Sequence, residues 1–383
     1  LRDWERENGI YCGYSRGSVS GSMIAYILGV TEIDSMKFGL NFFRFANPER
    51  ISLADIDTDY SEIDREKVMK FILEDKLDLP NLYTSEIITF NTIALKGAIR
   101  DVGRALEIPL DTINNICKKV DTEEEIWRKQ YKELFTYADI LQGTVVSIGT
   151  HPAGCVITDK NIYREFGTIT LPTADYPVSS IDMKEIESLG YVKLDILGLD
   201  NVGVINETCK LAGIERKTPD NTDLNDMNVW ESIRDDTTGI FQWESESAQA
   251  YLREFMSDKT LDKVKDKVKD FNMIKWFSFG NGLIRPGCAS YRDDVAQGNF
   301  YDNGLKELNE FLSSTLGHVT MQEDIMMFLS KFCGYSMGES DNVRRGIAKK
   351  KGTEQLLPEI KERFINYTSK HYNIPKEKCE EII

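Results

Sequence analysis

Three aspartates at alternate positions, Asp55, Asp57 and Asp59 in the stretch RISLADIDTDY, are the strongest chemical signal in the sequence. Alternate side chains of a strand share a face, which puts these carboxylates on one side at a spacing of about 6.5 Å. Like charges so close repel unless a hard cation lies among them, and Mg²⁺ takes carboxylate oxygens together with substrate phosphate oxygens. An exposed strand edge whose acids deter edge pairing is the alternative. The flanking Ile51, Leu53, Ala54 and Ile56 point instead to a strand with one face in a core.

Two shorter motifs carry further chemistry. In Arg16-Gly17-Ser18-Val19-Ser20-Gly21-Ser22 a glycine turn rich in hydroxyls precedes an apolar helical run, offering backbone N–H groups to an anion such as a triphosphate. It is neither a GK[ST] phosphate loop nor a GxGxxG fingerprint, and a plain Gly/Ser helix start stays open. In YVKLDILGL, Asp195 is a lone acid within an apolar strand, costly to bury without a partner or a metal, with a structural or capping Asp as the alternative.

The elements that must position these residues follow from periodicity. Ile10 to Tyr14 reads as a strand leading through the glycine turn into the helix MIAYILGV; Arg50 to Tyr60 reads as a strand followed by a helix from Glu62 to Asp75. Glu86 to Phe90 is a further strand, and residues 92 to 141 form an all-helical insert. Strand character returns in HPAGCVIT, in 172 to 181 and in YVKLDILGL, before a long, mainly helical region opens with NVGVINETCKLAGI. In LDKVKDKVKD, Val264 and Val268 lie four apart among alternating charges, the pattern of a solvated helix face.

With 383 residues, 41% hydrophobic and 29% charged, the chain has ample material for packed cores. It has no run of eighteen apolar residues, and its start, LRDWERENG, lacks the regions of a leader. Seven dispersed cysteines with no CxxC pair predict reduced thiols in a cytoplasm rather than disulfides or zinc. The first residue, Leu1, and the helix-like ending EKCEEII are expected of a fragment or a processed product. A net charge of −16 opposes a chain that coats nucleic acid, so any phosphate-binding surface must come from locally concentrated Lys and Arg.

In this order the segments RGSVSGSMIAYILGVTEID, FGLNFFRFANPERISLADIDTDY, EIITFNTIALKGAIRDVGRAL, THPAGCVIT, YVKLDILGLDN, GIFQWES, IRPG and GYSMGESDNVRRGIAKKK resemble the C-family bacterial replicative polymerases, the DNA polymerase III alpha subunits. The resemblance spans nearly the whole chain. It implies an α+β fold: a polymerase-beta-like nucleotidyltransferase palm, a mixed sheet with helices, over 1–88 and 149–200, a helical thumb over 89–148 and largely helical, incomplete fingers over 201–383. It also implies a DNA-directed DNA polymerase that adds dNMP from dNTP to a primer 3′-hydroxyl, 5′ to 3′, during replication in the bacterial cytoplasm.

By the same resemblance Asp55, Asp57 and Asp195 are the catalytic acids and hold two Mg²⁺ ions, Asp59 is a bystander, and Arg16, Gly17 and Ser18 hold the triphosphate. Lys193 matches a lysine near the reaction centre. Arg344 and Arg345 face the nucleotide, and Lys349, Lys350 and Lys351 complete a basic cluster facing DNA. Lys96 and Arg100, at i and i+4 on one helix, are placed to grip backbone phosphates, with a surface pair as the alternative. Gln242, Glu244 and Ser245 match a motif lining the fingers, Arg285-Pro286-Gly287 matches another, and His151 reads as structural.

The implied partners are primer-template DNA, dNTP and, through modules not in this sequence, a sliding clamp and other replisome subunits. Departures from the pattern, Ser15 for Gly, Cys288 for Pro and FNMIKWFSFGNGL before RPG, mark a divergent or phage-encoded member. Two further readings stay open: an inactive or split fragment that binds primer-template or a partner chain, and a template-independent nucleotidyltransferase.

Overall fold

The computed structural model describes residues 1–49, 56–75, 81–268, 270–348 and 353–383. They form two compact units, Leu1–Arg65 with Leu197–Ile383, and Glu66–Ile196. Both carry helices, and the strands of the second form a mixed sheet, so the α+β expectation holds. No described helix is long and apolar enough to cross a membrane.

In the first unit β1 (Asp57–Tyr60) is the described part of the expected Arg50–Tyr60 strand; residues 50 to 55, Asp55 among them, lie outside the described residues. Thr58 and Tyr60 alternate with the aspartates and face a buried polar network. Tyr60 Oη donates to Glu5 Oε1 at 2.6 Å, and Arg2 Nη1 donates to Glu5 Oε2 at 2.8 Å. The helix Arg2–Glu7 thus braces β1 from the side opposite its acids.

Ile10 to Tyr14, expected as a strand, runs beside β1 with one ladder bond, Gly13 N to Asp59 O at 2.8 Å. The glycine turn is a 3-10 helix, Gly17–Gly21, and the α-helix after it covers only Met23–Ile27, capped by Ser22. The glycines at both ends of MIAYILGV's neighbourhood explain the brevity: Gly29 at φ +67 ends the run.

The helical region after Asp200–Leu211 has two cores. One packs Trp230, Trp243, Phe255, Trp276 and Phe279, with Phe255 and Trp276 stacked at 4.3 Å. The other joins Leu329, Phe332 and Phe364 from the helices Gln322–Cys333 and Thr353–Tyr372. In the charge-rich LDKVKDKVKD stretch, the helix Asp258–Lys265 exposes its charges while burying Leu261 and Val264 in the first core.

The second unit contains β2 (Tyr83–Thr92), β3 (Val145–Thr158), β4 (Thr168–Ile169), β5 (Val178–Asp182) and residues 192–196 of β6 (Val192–Gly198). Their order is β6-β3-β2-β5-β4, antiparallel except for β2 and β5. The strand expected over 172 to 181 is thus shorter and later. Between β2 and β3 the helices Leu95–Ala105, Leu110–Gln130 and Lys132–Leu141 bury Ile99, Ile113, Ile116, Leu134 and Phe135 in a core of their own, as the all-helical insert requires.

Candidate active-site elements

In the first unit Gly17, at φ +66, takes a left-handed conformation that a side chain resists. A β-carbon there would stand 3.6 Å from Asp57 Oδ2, so the loop lies directly against this carboxylate. Ser15 and Ser20 close the loop with hydroxyls 2.7 Å apart, and Ser20 Oγ donates to Gly17 O at 3.0 Å. The departure to serine at 15 therefore has a structural use.

Arg16 Nη1 donates to Asp59 Oδ1 at 2.8 Å. Asp59 is buried, which raises its carboxyl above the usual aspartate value, and Arg16 draws it part of the way back. Burial and this ion pair give Asp59 a structural use, tying β1 to the glycine loop.

In the second unit Lys193 Nζ donates to Asp195 Oδ2 at 2.6 Å, and both side chains are about one-tenth exposed, at 9% and 11%. Asp195 Oδ1 is buried with no hydrogen-bond partner. Opposite it β3 bulges. Glu86 pairs with Cys155 and Ile88 with Thr150, so residues 151 to 154 form a loop within the ladder.

His151 organises that loop, its Nδ1 accepting from Gly154 N at 2.7 Å and Ala153 N at 3.3 Å, which agrees with a structural histidine. Gly154 makes room for this arrangement, since a β-carbon there would stand 2.8 Å from His151 Nδ1 and 3.2 Å from Asp195 Oδ1. The sequence offered no sign of this bulge.

The other expected contacts divide. Arg344 is buried and committed to Asp341 at 2.7 Å and Gln322 at 2.9 Å, while Arg345 Nε donates to Asp341 Oδ2 at 2.9 Å from a side chain one-third exposed. Asp341 is fully buried between them. A ligand contact through Arg344 would require exchange of these bonds. Lys349, Lys350 and Lys351 lie outside the described residues. Lys96 is ion-paired to Asp121 at 2.5 Å, and Arg100 is exposed on the same helix. Ser18 is half-buried in the loop. At Cys288, in place of the expected proline, Sγ accepts from Tyr291 Oη at 3.0 Å.

Among the described residues no three His, Cys or carboxylate side chains group as a ligand set. The donors are nonetheless hard oxygens, and the unpartnered, buried Oδ1 of Asp195 is the kind of atom that a bound cation would satisfy.

Two family models and several known proteins are similar to the chain. The family model of the bacterial DNA polymerase III alpha NTPase domain matches residues 1–198, and that of the DNA polymerase III alpha subunit finger domain matches residues 201–372. The DNA polymerase III subunit alpha of Ureaplasma parvum is 34% identical over 386 residues, covering 95% of this chain and 38% of its own length. That of Halalkalibacterium halodurans is 32% identical over 391 residues, covering 94% and 33%. That of Caulobacter vibrioides is 31% identical over 409 residues, covering 99% and 34%. The chain spans about a third of the length of these relatives.

Proposed function

Because the chain belongs to the bacterial DNA polymerase III alpha family, we propose that it carries template-directed DNA synthesis, adding dNMP from dNTP to a primer 3′-hydroxyl during replication in the bacterial cytoplasm. The observation that carries this reading is the glycine loop seated against the β1 carboxylates, since such a loop offers backbone N–H groups to a triphosphate beside acids that hold cations.

Asp57 and Asp195 hold the cations. The second β1 ligand is assigned to Asp55, which alternates with Asp57 in the sequence, while Asp59 is engaged by Arg16 of the loop. When bound, two Mg²⁺ ions would lower the pKa of the primer hydroxyl and offset the charge that develops on the leaving pyrophosphate. Arg16, Gly17 and Ser18 hold the triphosphate, and Lys193 orients Asp195.

Arg345 and the lysines at 349 to 351 supply positive charge to nucleotide and DNA, with Arg344 fixing Asp341 behind them. Lys96 and Arg100 serve the duplex backbone from a helical thumb over 89–148, and the palm covers 1–88 and 149–200, with fingers over 201–383. A sliding clamp and other replisome subunits would join through further modules.

Mg²⁺-dependent primer extension on a defined template tests this, with Asp57→Asn and Asp195→Asn beside the parent. Products that follow template length, lost in both variants, support the reading. Products independent of template length would make the chain a template-independent nucleotidyltransferase, and primer-template binding without any extension would make it a binding fragment.

A further inference from the structure

The 3-10 turn Phe42–Arg44 and the residues up to Glu49 lead directly toward the Asp57 strand, and they are fastened at both ends within the first unit. On one side, Gly21 of the glycine loop lies so close to Asn41 that a β-carbon would meet the Asn41 carbonyl oxygen at 2.6 Å. On the other, Arg44 Nη1 pairs with Glu323 Oε1 at 2.5 Å at the start of the Gln322–Cys333 helix. Glu49 Oε1 accepts from Ser336 Oγ at 2.7 Å, and Gly338 leaves room for Glu49, whose Cδ would be 2.5 Å from a β-carbon there.

These anchors sit beside the arginine fork. Gln322, next to Glu323, accepts from Arg344, and Ser336 and Gly338 flank the start of the Met337–Ala348 helix that carries Asp341, Arg344 and Arg345. A continuous series of close contacts therefore runs from the fork through Gln322 and Glu323 to Arg44, through Asn41 to Gly21, and along the loop to Gly17 and Asp57.

We propose that Arg44 and Glu49 are positioning residues, which set the glycine loop against Asp57 from the arginine-bearing helix, so that an anionic ligand on Arg345 is felt at the loop. The proposal rests on reading the loop as the triphosphate-binding element. Neither residue touches the loop itself; each acts through the segment between Asn41 and Glu49.

The experiment is amide hydrogen exchange of the full chain, which needs no activity. Arg44→Glu is expected to speed exchange over residues 17–25 about threefold, the size of one partly exposed ion pair, and the charge-swapped Arg44→Glu/Glu323→Arg protein is expected to recover the parent rate. Where the parent extends a primer, the same pair should raise and then restore the KM for dNTP with kcat little changed. Exchange altered only around residues 322–348, with the loop at its parent rate in Arg44→Glu, would overturn the proposal; failure of extension in the parent would instead count against the polymerase reading alone.

Discussion

Arg16 reaches from the glycine loop to Asp59 of β1, its Nη1 2.8 Å from Oδ1, so the element assigned to the triphosphate is tied to the strand assigned to the cations. The arginine is partly exposed and the aspartate buried. An anion arriving at the loop would take over the arginine half of this pair.

That geometry sets Asp59 against Asp55. Asp55→Asn is expected to lower Mg²⁺-dependent extension by on the order of a hundredfold or more, with Asp59→Asn, which loses the pair with Arg16, staying closer to the parent. Single-turnover extension rates at saturating dNTP distinguish them. A large loss in Asp59→Asn with Asp55→Asn near the parent would move the role to Asp59.

Lys193 and Asp195 make a second pair, buried where water screens little. Lys193→Met should destabilise the fold by about 3 kcal/mol, because it strands an uncompensated carboxylate, and Lys193→Met/Asp195→Asn should recover much of that loss. Urea midpoints of the two single variants and the double variant give the coupling directly.

At Asp341 two expectations diverge. Simple charge counting says that Asp341→Asn, which removes an acid beside two arginines, should tighten primer-template binding. The buried fork says the reverse: with Arg344 and Arg345 released from their shared carboxylate, the helix should lose about 3 kcal/mol of stability and binding should weaken. Fluorescence anisotropy of labelled primer-template at fixed salt decides between them.

His318 is stacked on Tyr291, ring centroids 4.3 Å apart, and its burial lowers the imidazole pKa below the ordinary 6.5. The unfolded chain therefore takes up this proton first as pH falls, so stability is lost as pH drops below about 6.5 and the loss levels off below the depressed folded value. His318→Phe should flatten that part of the profile when urea unfolding is compared at pH 7.5 and about 5.5.

Much of the fold was legible because its signals are local. The helical insert declares itself by the buried stripe of Ala98, Ile99 and Val102, and β6 by its apolar run around Asp195. What escaped was set by neighbours distant in sequence. Ile10 to Tyr14 has strand-forming residues but finds one ladder bond, and the bulge at His151 to Gly154 depends on a ring nitrogen folding back onto two amides. Arg344 looked like a free basic residue because Asp341 and Gln322, three and twenty-two positions away, leave no mark on a charge pattern.

All seven cysteines are free and buried, and they are spread from Cys12 near the N-terminus to Cys379 near the C-terminus. Cys155, within β3 and close to the charge of Asp195, is held up to about 12 by burial. Buried as all seven are, each is reached by a reagent only as its own surroundings open. The chain thereby carries seven internal clocks: mass spectrometry of a timed alkylation would rank the helical insert at Cys117, the sheet at Cys155 and the terminal helices at Cys333 and Cys379 by how often each one breathes.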